Sequence, residues 1–300
     1  MANEKSKFYI YDLDKKAEEP NFKHETPFQG NSTRKQIMYI DGDNMPGAFY
    51  SEYLWHFPGK DPAAAEQEGI GPHTHPYGQV ISFVGTNEES LFDLGGEIEI
   101  WLEDQKFTLT KTFLVYIPAG MRHGPIRINK IERPIWQYVL GSGSKFECDE
   151  NVENTQKTGG DLSKLFIYDY QKPNLPNYRA KSEEKPGYHD HVSFLDGDVV
   201  KGADFYVEAS KFGTPKIPGG EGPQCHVHPF PELIVFFGTN FDDIYDLNGE
   251  VELWVDDIQH ISTRGFVCYV PENVPHCPLK VNSITGAMVH FTAGPAREYI

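Results

Sequence analysis

Gly96-Glu97-Ile98-Glu99-Ile100-Trp101 is written a second time as Gly249-Glu250-Val251-Glu252-Leu253-Trp254, 153 residues downstream. The same offset of 153 carries Gly85-Thr86-Asn87 onto Gly238-Thr239-Asn240, and Asp93-Leu94 onto Asp246-Leu247. It also carries Phe113, Tyr116 and Pro118 onto Phe266, Tyr269 and Pro271. Upstream the register slips, to 155 for Asp41-Gly42-Asp43 and Asp196-Gly197-Asp198 and to 157 for Ile10-Tyr11-Asp12 and Ile167-Tyr168-Asp169. Small loop insertions account for the slippage. A fixed period of this length means that one structural unit has been duplicated. Two domains are expected, residues 1–153 and 154–300, joined through the polar stretch Cys148 to Asp161.

The repeated segments read as strands. Ile98 to Leu102 and Val251 to Val255 combine β-branched and aromatic residues with partial alternation. Val80 to Val84 and Leu233 to Phe237 are nearly continuous apolar runs, the pattern of strands buried on both faces. Gly 28 and Pro 22 supply turns, and 13% aromatic residues favour strands. The fold class is all-β, a sandwich or barrel in each half. The few helical candidates are short, among them the Ala-rich Pro62 to Glu68, which Gly69 ends. An isolated sandwich leaves one sheet face wet, so the double-faced apolar runs predict packing between the halves and a homodimer.

Basic residues number 27 and acidic residues 44, a net charge of −17. Such a surface repels phosphate backbones and anionic lipid, which argues against nucleic-acid and membrane-surface partners and leaves a small-molecule substrate. The sequence contains no run of about twenty apolar residues. Met-Ala-Asn-Glu-Lys-Ser-Lys at the start does not resemble a secretory signal. Four cysteines in 300 residues are not a disulfide framework, so a reducing cytoplasm is expected.

The histidines follow the repeat. His73, His75 and His123 map onto His226, His228 and His276, with Gln79 in the first copy standing where the second has Glu232. Residues i and i+2 of an extended chain point the same way, roughly 6–7 Å apart. Each His-x-His therefore aims two imidazoles at one point, and the third histidine has to arrive from a neighbouring strand. Three imidazoles and a carboxylate satisfy a divalent transition metal. Three histidines kept through a duplication argue for a site rather than for separate structural roles.

With these residues in place, the chain resembles a bicupin of the cupin superfamily over essentially its whole length. Gly220, His226, His228, Glu232 and Gly238 fit the first cupin motif, with the last spacing one residue short. Gly265, Pro271 and His276 fit the second motif, with Asn273 in place of its usual Gly. In the first copy Pro118, Gly120 and His123 fit and Thr112 replaces the leading Gly. Arg127 and Lys280 stand where that motif closes with Asn. The resemblance implies tandem jelly-roll barrels (double-stranded β-helices) and a metal site. It fixes no reaction, because cupins host many chemistries.

Mn²⁺ or Fe²⁺ is expected in an octahedral shell with two open positions, with Ni²⁺ or Zn²⁺ as alternatives. Glu232 brings a negative charge that Gln79 lacks, so the second copy is expected to hold metal more strongly. The same ligands serve two reaction classes: non-oxidative chemistry on a small oxygenated compound, and ring cleavage by a dioxygenase. A binding or storage protein is the third class, although storage members often lose the ligands. The repeated Gly-Thr-Asn, Asp-Leu and Gly-Glu-Ile/Val-Glu segments are similar to bicupins near the manganese-dependent cyclohydrolases that open dihydrophloroglucinol. That resemblance implies hydrolytic C–C cleavage in a cyclic diketone.

Two further residues are candidate catalytic groups. His290 lies on the last apolar strand, where it either lines the second pocket or packs in the core. Arg122 adjoins His123 and meets either an anionic substrate or solvent. His189-Asp190-His191 lacks a carboxylate four residues on and reads as surface or strand. Cys225 and Cys277 adjoin ligand histidines, and alternation turns their thiols away from the metal.

Overall fold

The structure, a computed structural model, describes residues 10–12, 34–59, 71–87, 90, 92–150, 160–170, 189–213, 220–221 and 223–299. Pro62 to Glu68, the helical candidate, lies outside them. Among the described residues regular structure is strand, apart from a 3-10 turn at Leu162–Leu165. In chain order the strands are β1 (Ile10–Asp12), β2 (Arg34–Ile40), β3 (Tyr50–His56), β4 (Gln79–Gly85) and β5 (Asp93–Leu102). There follow β6 (Gln105–Lys111), β7 (Phe113–Ile117), β8 (His123–Ile131), β9 (Ile135–Gly141) and β10 (Phe166–Ile167). The second copy contributes β11 (His189–Leu195), β12 (Tyr206–Phe212), β13 (Gly220–Glu221), β14 (Glu232–Gly238) and β15 (Asp246–Val255). It ends with β16 (Ile258–Arg264), β17 (Phe266–Val270), β18 (His276–Ile284) and β19 (Met288–Gly294).

The chain forms two compact units, Ala17–Asp169 and Met1–Lys16 with Tyr170–Ile300. In the first, a six-stranded sheet ordered β10-β7-β4-β9-β3-β2 accompanies a three-stranded sheet β6-β5-β8. Ile81, Phe83, Ile98, Ile100, Phe113, Val115 and Ile117 fill the space between them. In the second, the orders are β1-β17-β14-β19-β12-β11 and β13-β18-β15-β16, around Ile234, Phe236, Val251, Leu253, Phe266 and Val270. Every strand pairing among the described residues is antiparallel, as a jelly roll requires. The apolar runs fall on β4 and β14, which are buried at every position. β6 and β16 instead alternate toward solvent.

The repeat boundary after residue 153 marks the duplication, while the compact units run past it. Ile10-Tyr11-Asp12 and Ile167-Tyr168-Asp169 are equivalent in the repeat. β1 pairs with β17 of the second copy, and β10 pairs with β7 of the first. Each copy's opening strand thus completes the sheet made by the other copy's residues.

The repeated letters have repeated jobs. Asn87 donates to Asp93 at 3.0 Å and Asn240 to Asp246 at 2.9 Å. Thr86 donates to the Pro134 carbonyl at 2.7 Å and Thr239 to that of Ala287 at 3.0 Å. The indole N–H of Trp101 donates to Glu99 at 3.2 Å and that of Trp254 to Glu252 at 2.8 Å. The Asn–Asp bonds tie β5 and β15 to the loops that precede them, and the Trp–Glu bonds lie within each strand.

Candidate metal centres and their chamber

His226 and His276 face each other across a single antiparallel bridge, each N–H donating to the other's carbonyl at 3.1 Å. His73 and His123 do the same at 2.9 Å. This bridge delivers the third histidine of each set from β18 or β8, and it holds the paired rings 4.3 Å apart in both copies. The His-x-His segments are short loops pinned by that bridge rather than long strands. The i, i+2 geometry still brings His226 to 4.7 Å of His228 and His73 to 4.8 Å of His75, ring to ring. The turn between Pro271 and His276 is closed by the N–H of Asn273 on the His228 carbonyl at 2.7 Å. Asn273 adopts φ 60°, and its counterpart Gly120 φ 76°, so the Asn at the usual Gly position accepts the left-handed conformation that the turn demands.

The ligand atoms of His226, His228, Glu232 and His276 lie within 4.8 Å of one another, as do those of His73, His75 and His123. Most of these imidazoles are tied at Nδ1 to a carbonyl: His226 to Gln224 at 2.6 Å, His276 to Val274 at 2.9 Å, His73 to Gly71 at 2.8 Å, His123 to Met121 at 3.0 Å and His75 to Glu147 at 2.6 Å. A carbonyl only accepts, so Nδ1 carries the proton and Nε2 of the neutral ring presents its lone pair inward, the arrangement of metal-ligating histidines. Burial holds His226 and His75 down to about 4, and His123 well below its ordinary value. Glu232, 2% exposed, brings Oε2 to 3.1 Å from His276 Nε2 and 3.8 Å from His228 Nε2. A carboxylate oxygen against the lone pairs of neutral imidazoles is repulsive unless a cation lies among them. The donor set of the second centre therefore fits a divalent metal.

In the first centre Gln79 heads β4 as Glu232 heads β14. Its amide nitrogen lies 3.0 Å from His75 Nε2, and so donates to a lone pair that a metal would use. Its Oε1 and His123 Nε2 are buried without a hydrogen-bond partner. Those orphaned acceptors also fit a cation, with weaker attraction than a carboxylate provides.

Beside the first centre a cavity of about 120 Å³ runs into the barrel, lined by His73, Gln79 and His123 at one end and by Arg34, Glu52, His56 and Gln137 further in. Glu52 takes the Arg34 guanidinium at 2.9 Å and the Tyr50 hydroxyl at 3.1 Å. His56 Nε2 meets the Gln137 amide oxygen at 2.7 Å, so it donates there. Strand register makes Tyr206, Glu208 and Phe212 the counterparts of Tyr50, Glu52 and His56, with His191 Nδ1 3.1 Å from Glu208. Glu52 and Glu208 do not stand out in the sequence. The signal was present, since both sit in equivalent strands, but the offset there has slipped to 156.

His290 takes the place of Gln137 on β19. Its Nδ1 bonds the Val235 carbonyl at 2.8 Å and its ring stacks on Phe236 at 4.0 Å, outside the group of ligand atoms around Glu232. The Arg122 guanidinium donates to the Glu103 carbonyl at 3.1 Å, and Arg122 does not line the cavity. His191 lies on β11, and the His189 side chain is outside the described residues. Cys225 is exposed and Cys277 buried in the apolar cluster of its barrel.

The buried rings set an acid limit on stability. His56 is pushed down to about 3 by burial, and His75 and His226 to about 4. Above pH 6.5 neither the folded nor the unfolded chain protonates them. As pH falls below that value the unfolded chain takes up protons that the folded chain refuses, so stability declines with a slope of up to about 1.4 kcal/mol per pH unit for each ring. Urea denaturation of the metal-free protein should show this decline between pH 6.5 and 4. His56→Phe, the residue present at Phe212, should flatten it; an unchanged slope would refute the assignment of His56.

No protein-family model matches the sequence, and neither does any curated protein. Solved structures do match. A variant of Bacillus subtilis oxalate decarboxylase aligns with TM-score 0.55 at 12% identity, over 97% of this chain and 78% of that one. The chain has the bicupin fold. A second structure of that decarboxylase, concerned with its Mn(II) centres, aligns equally with this chain, at TM-score 0.55 and 12% identity over 97% and 78% of the two chains. AerE from Microcystis aeruginosa aligns at TM-score 0.50 and 13% identity, over 88% of this chain and 97% of its own. The described residues contain no helix long and apolar enough to cross a membrane.

Proposed function

We propose that the chain is a metal-dependent enzyme that breaks a C–C bond in a small oxygenated compound, a cyclic 1,3-diketone or polyhydroxylated ring, by hydrolysis. His226, His228, Glu232 and His276 are its principal metal ligands. The observation that carries this reading is their convergence: ligand atoms within 4.8 Å, and the Nδ1–H groups of His226 and His276 committed to backbone carbonyls. Mn²⁺ or Fe²⁺ bound there would polarise a substrate carbonyl and lower the pKa of a bound water. Glu232 offsets part of the metal's charge, and the apolar barrel around it excludes bulk solvent. The Mn(II) centres of the oxalate decarboxylase with the same fold support the choice of manganese.

The test joins metal analysis of protein purified without chelator to an oxygen electrode during turnover of cyclic 1,3-diketones. Bound Mn²⁺ or Fe²⁺, ring-opened product and no oxygen uptake are expected. Oxygen consumed in step with product would transfer the reading to a ring-cleaving dioxygenase. A metal-free protein unaffected by Mn²⁺, Fe²⁺, Ni²⁺ or Zn²⁺ would make it a binding protein. A homodimer is the assembly we propose, and light scattering at micromolar concentration decides it.

A further inference from the structure

Tyr299, 8% exposed, follows β19 and brings its hydroxyl to 3.2 Å from His226 Nε2. His226 Nδ1 is committed as a donor to the Gln224 carbonyl, so Nε2 of the neutral ring accepts and Tyr299 donates. The phenol ring is set edge-on to His228 at 4.6 Å and lies 4.5 Å from Tyr206. The first barrel has the same aromatic post. Phe146, 153 residues earlier, is edge-on to His75 at 5.3 Å and lies 5.5 Å from Tyr50, the counterpart of Tyr206. The ring is kept in both copies, and only the second carries a hydroxyl, on the copy that also has the carboxylate.

We propose that the Tyr299 hydroxyl is a working part of the second centre, holding the His226 lone pair in the metal-free protein and donating to a substrate oxygen once the metal has taken that lone pair. The substrate half rests on the function proposed above; the competition for His226 does not. The first centre, with Phe146, has neither activity. Two of the differences between the copies thus fall at the metal position: Gln79 to Glu232 adds a charge and Phe146 to Tyr299 a hydroxyl. A phenol donates to an enolate or carbonyl oxygen without supplying another charge, which suits a 1,3-diketone.

Tyr299→Phe retains the ring and its packing, and the experiment reads two affinities in a His75→Ala background that silences the first centre. Mn²⁺ titrated into the metal-free full chain should bind about two- to tenfold tighter in the variant, because a competing hydrogen bond has been removed. Acetylacetone, a 1,3-diketone, titrated into the Mn²⁺-loaded chain should bind about tenfold weaker, because a donor to its oxygen has been lost. The opposite signs are decisive. A tyrosine that merely shapes the barrel would weaken both affinities together, and that result overturns the inference, as does no change in either. Tighter Mn²⁺ with unchanged acetylacetone overturns the substrate half. Wild-type protein that takes up no Mn²⁺ overturns the metal-centre reading and this inference with it.

Discussion

Glu232→Gln is expected to strip the second centre of most of its metal and to lower turnover by roughly 10²-fold. The carboxylate is 2% exposed and lies 3.1 Å from one ligand nitrogen and 3.8 Å from another. Its charge acts where water does not screen it, and the amide keeps the shape while discarding the charge. The variant also reproduces the contact seen at Gln79, whose nitrogen donates to His75. The new amide would donate to an imidazole lone pair and compete with the ion for it. Metal analysis and turnover on one preparation check this, with circular dichroism to confirm that the barrel persists. The reciprocal Gln79→Glu should raise the metal content of the first centre. If metal and turnover instead follow His73, His75 and His123 while His226→Ala stays active, the working centre is the first.

Gly238→Val should destabilise the second barrel severely. A Cβ at Gly238 would stand 2.1 Å from the Asp246 carbonyl oxygen, and one at Gly85 2.0 Å from that of Asp93. Neither neighbour is the flexible end of a side chain; both are backbone, where β15 and β5 begin. Relieving the overlap means moving β14 off β15, at a cost of about 3 kcal/mol or more. A cost of that size lowers the melting temperature by on the order of 10 °C. Calorimetry settles the matter, and a variant that melts within a degree or two of the wild type would show that the strands part easily.

These glycines also show why the fold was legible. Gly85 and Gly238, Asn87 and Asn240, Trp101 and Trp254 each have a stereochemical or hydrogen-bonding task that no other residue performs as well, so duplication left them in register. The ligand histidines were legible for the same reason. Glu52 and Glu208 escaped because the repeat had slipped there, and Tyr299 escaped because its partner in the repeat is a phenylalanine. A change of one oxygen atom looks conservative in sequence until the structure places that oxygen beside a ligand nitrogen. The paired His56 and Gln137, and their replacement by Phe212 and His290, are likewise contacts across a sheet that no local pattern records.

The exchanged opening strands bear on how the chain is made. Ile10 to Asp12 are synthesised some 250 residues before the backbone they pair with, Phe266 to Cys268. At about 5–20 residues per second the wait is roughly 13–50 s. Throughout it the nascent chain carries a strand whose sheet does not yet exist. β17 also adjoins β14, the strand headed by Glu232. A deletion of Ile10 to Asp12 would therefore disturb the second centre, although the first lies much nearer to it in sequence.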